Sequence, residues 1–445
     1  MAYLSKSSSK RRVLFLLLSC FHFASLVGCA SKDNSKTDFQ YFKLDGLNRL
    51  LQPTSLGSEA ACIHYALAKN GQLAPPNDCG LGALEDMARG ALVYLRHAEI
   101  SGNAASLGHA QKLLATILHL QKPDGLFFDW LDAQGRPALC NADGIAGFGF
   151  PEVRAMWALA AGAKRFEQRD RKFAEKMHAA FWRSFVHVDS CLTYYGRFSE
   201  KGGMKFPQWL PYRSGADAAS ELILAFNIML QSGLNASHQT NKLELAMQQF
   251  AEGIQKMQVG DAKQFPYGAH LAYENYWHSW GNCAMQALTL SGAKFNRQEL
   301  IESAILEADG FVPYLQERQF ARAFNVVEAR QSDKHIEYFP QSAADIRPLI
   351  TGLLELSRVT GNRRYARRAG EVARWLRGEN KAHEAIYVAK TGLAKDYIQG
   401  HNYVMPTLTA AATVEALMAI IEVEANSDSR KEFYINIENV FEGKP

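Results

Sequence analysis

The chain has 445 residues, with 49 Lys and Arg against 45 Asp and Glu, a formal charge of +4, and 47% hydrophobic residues. That supports a large packed core, and the near balance of charge excludes a strongly basic surface, so nucleic acid is not an expected partner. Seven cysteines without a CxxC pair and thirteen histidines without an HxxxH pair give no metal-ligand spacing, and neither a metal nor a cofactor is expected.

In chain order, Lys6, Lys10, Arg11 and Arg12 precede an apolar run from Val13 to Val27 that ends in Leu26-Val27-Gly28-Cys29. A basic segment, an apolar segment and small residues before a cleavage point describe a secretory signal. Ser19 and His22 interrupt the run, which is too short for a membrane span. The LVGC tetrapeptide resembles the bacterial lipobox, which implies that Cys29 carries lipid and becomes the first mature residue. Residues 1–28 are then a signal peptide and residues 29–40 a polar tether. Residues 41–445 form one domain with an N-terminal extension over 41–80. The expected location is the bacterial cell envelope, with the membrane a partner only through the anchor and the chain a monomer. In an exported protein, Cys62 and Cys79 are the expected disulfide. The odd number of cysteines after Cys29 leaves a thiol free, and Cys283, on an apolar helix face, is the expected one.

From residue 81 onward, amphipathic helical segments come in pairs: 81–99 with 105–121, 152–163 with 169–186, 216–230 with 242–257, 277–290 with 297–307, 344–359 with 364–376, and 406–425 with 430–441. Turns within pairs are short and carry Gly, as in Ser101-Gly102-Asn103 and Thr360-Gly361-Asn362. Connections between pairs are long, roughly 20 to 30 residues, a length that is usually functional. If successive helices run antiparallel, every long connection emerges at one end, and five aromatic and polar loops surround one rim.

The stretches ITGLLELSRVTGNRRYARRAGEVARWL and PEVRAMWALAAGAKRF, with the turn LQKPDGLFFDW, resemble six-hairpin (α/α)6 toroids. That resemblance implies an all-α (α/α)6 toroid with its cleft on the long-loop face. The superfamily contains glycoside hydrolases, polysaccharide lyases, sugar epimerases and terpenoid cyclases. No acidic run of the cyclase kind is present.

The richest segment is 264–293, where Tyr267, His270, Tyr273, Glu274, Asn275, Tyr276, Trp277, His278 and Trp280 precede a helix of small residues. Aromatic faces stack on sugar C–H faces, and polar tips take the hydroxyls. Trp277 and Trp280, three apart, are equally readable as core. Hydrolysis requires two carboxyl groups about the scissile bond. Glu274, among aromatics that would desolvate it, is the first choice of acid. Asp143, among glycines, is the alternative and reads equally as a turn residue. Glu152 and Asp217 read as residues of helix starts.

Elimination instead requires a Tyr or His base and a group that neutralises a uronate. Tyr276-Trp277-His278-Ser279-Trp280, followed by Ala308-Asp309-Gly310-Phe311-Val312-Pro313, resembles periplasmic alginate lyases. In those enzymes an Asn-His pair precedes the Tyr-Trp, and an Arg follows the Asp-Gly-Phe-Leu-Pro run. Here Glu274 takes the His place and Arg318 or Arg322 the Arg place, so the neutralising pair is incomplete. Trp130, Trp209, Tyr212, Arg213 and Tyr338 complete the expected sugar-binding set from the other long loops, whereas Trp157, Trp182 and Trp375 read as core. The expected activity is glycosidic bond cleavage in an oligo- or polysaccharide. A glycoside hydrolase using Glu274 or Asp143 comes first. A uronate lyase using Tyr276 or His278 is the alternative, and a non-catalytic anchored sugar-binding protein a third.

Overall fold

A computed structural model describes residues 39–140 and 147–437 of the chain. Cys29, residues 29–38 of the tether and Asp143 lie outside the described residues.

Inner and outer helices differ in how much of their surface is apolar. Among the described residues, twelve helices form six hairpins: α1 (Leu84–Ser101) with α2 (Ala104–Leu120), α3 (Phe150–Phe166) with α4 (Arg171–Leu192), and α5 (Ala216–Met229) with α6 (Ser237–Lys256). They continue with α7 (Ala284–Phe295) and α8 (Gln298–Leu306), α9 (Ala343–Thr360) and α10 (Arg363–Ala373), and α11 (Ala410–Ala425) and α12 (Ser427–Phe433). In α11 nearly every residue from Ala410 to Glu424 is buried. A helix apolar on all sides must be covered on all sides. In α10 only one face is buried, through Tyr365, Ala366, Ala369 and Val372, while Arg363, Arg364 and Arg367 face water.

The packing follows from that difference. Each odd-numbered helix packs on the next odd-numbered helix, and α11 packs back on α1, so six inner helices close a ring. Each even-numbered helix covers its own partner from outside. This is the (α/α)6 toroid. Its short turns share one end. Gly102 and Gly361 close α1 and α9 in the left-handed region, and Asn103 and Asn362 then cap the next helices by accepting the Ser106 and Arg364 N–H groups. The starts of the inner helices, and all the long connections, lie at the other end.

Short strands knit those connections together. Tyr276–His278 pairs with Ala323–Asn325, which pairs with Ile336–Glu337. The helix expected from residue 277 therefore begins only at Ala284. Tyr-Trp-His suits a pleated strand, and Gly281, at φ 67°, breaks the backbone between strand and helix. Likewise α11 begins at Ala410 rather than 406, and α12 begins at Ser427 rather than 430 and ends at Phe433, with the expected end at 441 outside the described residues.

The disulfide expectation is corrected. Cys79 bonds Cys140, and Cys62 is a buried free thiol. The three-stranded unit of Gly82–Ala83, Trp130–Leu131 and Pro137–Ala138 brings residue 140 back beside residue 79. Cys62 is in strand Gly57–Ile63, which packs on α2. Cys283 is free, as expected, and so is Cys191.

The N-terminal extension clasps the ring where it closes. Ala66–Leu67 pairs with Leu408–Thr409. The Glu424 carboxylate, near the end of α11, accepts the N–H groups of Gln40, Tyr41 and Phe42 at 3.1, 2.8 and 3.0 Å. The described chain thus begins at the short-turn end. No helix among the described residues is long and apolar enough to cross a membrane.

Candidate active site

The mouth of the ring at the long-loop end is built on α5. Asp217, in its first turn, is 2% exposed. Its Oδ1 accepts the Tyr212 phenol and the Ala218 N–H, and its Oδ2 lies 3.0 Å from Nε2 of His278. A carboxylate in that position places the imidazole proton on Nε2 and leaves a lone pair on Nδ1. Nδ1 is buried and has no hydrogen-bond partner among the described residues. Burial and the Asp217 charge raise the Tyr212 phenol well above its ordinary pKa, so it stays a donor.

Strand Tyr276–His278 delivers the imidazole, and its neighbours hold it in place. The His278 ring stacks on Trp280 with centroids 3.9 Å apart and planes 13° apart. The Arg322 guanidinium lies 4.7 Å from the Trp280 ring centre, and its Nη1 donates to the Pro340 carbonyl at 2.8 Å. Arg322 makes no ion pair among the described residues. Tyr276, half-buried, donates to Glu337 at 3.3 Å, and burial with the Glu337 charge pushes its phenol up to about 12. Ser279 ties the turn after the strand to the Asp345 carboxylate at the start of α9.

Beneath this mouth, one turn further along the inner helices, the axis is closed by charge. Arg154 on α3 binds Glu221 on α5 at 2.9 Å and Glu85 on α1 at 2.8 Å. Arg347 on α9 binds Glu221 at 3.1 Å and also Glu415 on α11. Glu415 also binds Arg89 on α1, which lies 3.8 Å from Glu85 and completes the circuit. Burial works against the charge of Glu415, yet Arg347, Arg89 and Arg154 hold its carboxyl down to about 2. Asp86, also on Arg89, is raised by burial to about 6.

The other expected site residues are placed variously. Glu274, its side chain 23% exposed, lies beside the Tyr273 phenol and is engaged in an ion pair. Its partner is Lys201, 59% exposed at the tip of the Phe198–Lys201/Met204–Pro207 hairpin. Trp209 and Trp277, 1% and 2% exposed, are core residues and offer no face to a ligand. Arg318 is away from His278, over the Tyr314 ring at 4.0 Å and beside Glu317. Tyr338 lies under the Lys381 ammonium. Arg213 covers Tyr194 at 3.5 Å, Asn275 bonds Asn325, and Tyr273 packs on Tyr212. Trp130 is half-buried in its strand beside the start of α1. Trp157 and Trp375 are core as expected, while Trp182 is half-buried and bonds His178. Asp217 opens α5, as expected, and its contact with His278 is what sequence reasoning missed. Its signal was present, because a carboxylate in a helix apolar on all sides must be buried against a partner. No group of three or more metal-ligating side chains occurs among the described residues.

No protein-family model matches the chain, and no curated protein sequence matches it. Solved structures do share its fold. A sugar epimerase from a ruminal bacterium is 13% identical with TM-score 0.59, over 88% of this chain and 97% of that one. Cellobiose 2-epimerase from Bacillus thermoamylovorans B4167 is 8% identical with TM-score 0.57, over 86% and 96%. A D-mannose isomerase is 12% identical with TM-score 0.52, over 85% and 95%. At these identities the likeness establishes the toroid architecture.

Proposed function

We propose that the chain is a carbohydrate-active enzyme whose reaction begins with proton removal from a sugar carbon, with His278 as the base. The observation that carries this is the buried, unpartnered Nδ1 of an imidazole whose other nitrogen is held by Asp217. A buried nitrogen without a partner is costly, and sites of chemistry are where such a cost is tolerated. The epimerases and isomerase of the same fold, named for sugar chemistry, support the substrate class. His278 takes a proton from the carbon next to a carbonyl, and the electron pair moves onto that carbonyl oxygen. Return of the proton to the opposite face, from His278 after the intermediate turns or from a second donor, gives an epimer; its return to the former carbonyl carbon, with the neighbouring hydroxyl proton passing to the former carbonyl oxygen, gives an isomer. Nδ1 is buried, so a substrate reaches it only when a covering side chain moves; Tyr276 and Trp280 are partly exposed rings next to His278.

A second reading, β-elimination on a uronate, is favoured by Arg322, a guanidinium beside Trp280 that lies near Asp345 but makes no ion pair among the described residues. Incubation of sugars and uronate polymers in deuterated water separates the readings. Carbon-bound deuterium, lost in His278→Ala, is expected for epimerisation or isomerisation. New reducing ends with ultraviolet absorbance mark elimination. New reducing ends alone would mark hydrolysis and overturn the His278 reading.

A further inference from the structure

On the far side of the ion circuit from His278, at the short-turn end, the inner helices enclose a cavity of about 780 Å³. That lies within the roughly 300–1,000 Å³ of small-molecule pockets. Its walls are mainly apolar, from Leu92, Trp157, Ile228, Leu354, Met418 and Ile421, with Gln286 and Thr351 among them, and Arg347 of the circuit lines it too. Its rim is charged but unevenly matched. Arg96 is held by Glu99 and Glu422, Lys164 by Glu167, and Arg358 by Glu355. Arg165 and Arg169, at the end of α3 and just beyond it, line the same rim and make no ion pair among the described residues. The Nε of Arg165 is buried without a hydrogen-bond partner, and its Nη2 reaches only the Ala98 carbonyl at 3.3 Å.

An apolar chamber with unmatched positive charge at its mouth selects a molecule with an apolar body and an acidic head. We propose that this cavity binds an anionic amphiphile, an alkyl chain along Leu92, Trp157 and Met418 with a carboxylate or phosphate on Arg165 and Arg169. The described chain begins at this same end, where Glu424 holds Gln40, Tyr41 and Phe42. Both a free amphiphile and a membrane lipid carry this chemistry and are sources of the ligand. The site is separate from His278 and stands whether or not that residue is the base.

The test is calorimetric titration of the full chain carrying Cys29→Ser with octanoate, decanoate and dodecanoate below their micelle concentrations. Each added methylene is expected to tighten binding by about fourfold until the cavity is filled, and neutral dodecanol should bind at least about tenfold more weakly than dodecanoate. Two variants with wild-type thermal melts should each weaken dodecanoate by about tenfold or more. Arg165→Gln with Arg169→Gln removes the charges, and Ala161→Phe fills the chamber and keeps them. No saturable dodecanoate binding, or binding that ignores chain length and both variants, overturns the proposal. Phosphatidylglycerol vesicles distinguish the sources. Vesicle binding lost in the same variants identifies a lipid headgroup, and dodecanoate binding without vesicle binding identifies a free amphiphile.

Discussion

At the scale of single residues, the distinction that matters is between a carboxylate that orients an imidazole and one that pairs with a surface lysine. Asp217 is buried, fully engaged, and holds the His278 tautomer. Glu274, 23% exposed, is instead tied up by a lysine that is 59% exposed. Asp217→Asn should therefore lower turnover by about a hundredfold or more, with the folded circular-dichroism spectrum intact, because an amide no longer enforces the proton on Nε2. Glu274→Gln should retain activity within about threefold, since an exposed pair contributes little. Equal loss in both variants would return Glu274 to the chemistry. The sequence showed the aromatic-imidazole cluster that includes His278, because several polar tips in one short run need partners. It did not show which carboxylate meets the imidazole, since Asp217 and His278 are brought together only by the packing of the long connections over the start of α5.

At the scale of elements, the turns were legible and the strand was not. Thr-Gly-Asn between two amphipathic runs specifies a helix end and the next cap with no tertiary information, and the structure has both. The Tyr276–His278 strand depends on partners near residues 324 and 336, which no local pattern reveals. The cysteine pairing was hidden for the same reason, because the hairpin that returns Cys140 to Cys79 is a tertiary contact. Gly361 isolates the local term. Its φ is 69°, and an added Cβ would meet nothing within 4 Å. Gly361→Ala should thus cost about 1 kcal/mol through backbone conformation alone, read as a lower urea midpoint with an unchanged slope. A cost near zero would mean that the turn relaxes to another conformation.

At the scale of the whole molecule, six hairpins form a toroid only if the ring closes, and the circuit of Arg89, Glu415, Arg347, Glu221, Arg154 and Glu85 spans that closure. It joins α11 to both α1 and α9, so the last inner helix is tied on two sides by one carboxylate. Removing that carboxylate leaves two buried guanidiniums short of a partner, and Glu415→Gln should destabilise the protein by about 3 kcal/mol or more. The pH dependence gives the sharper test. Glu415 titrates at about 2 in the fold against an ordinary 4.5. A carboxyl lowered by folding binds fewer protons in the native state, so its contribution is complete above the ordinary value and is lost as pH falls toward the folded one. The stability difference between wild type and Glu415→Gln, measured by urea unfolding, should be constant from about pH 7 to about pH 5 and shrink from about pH 4.5 downward. A difference that stays constant as the acid limb is descended would mean that Glu415 gains nothing from its arginines, and that apolar packing alone closes the ring.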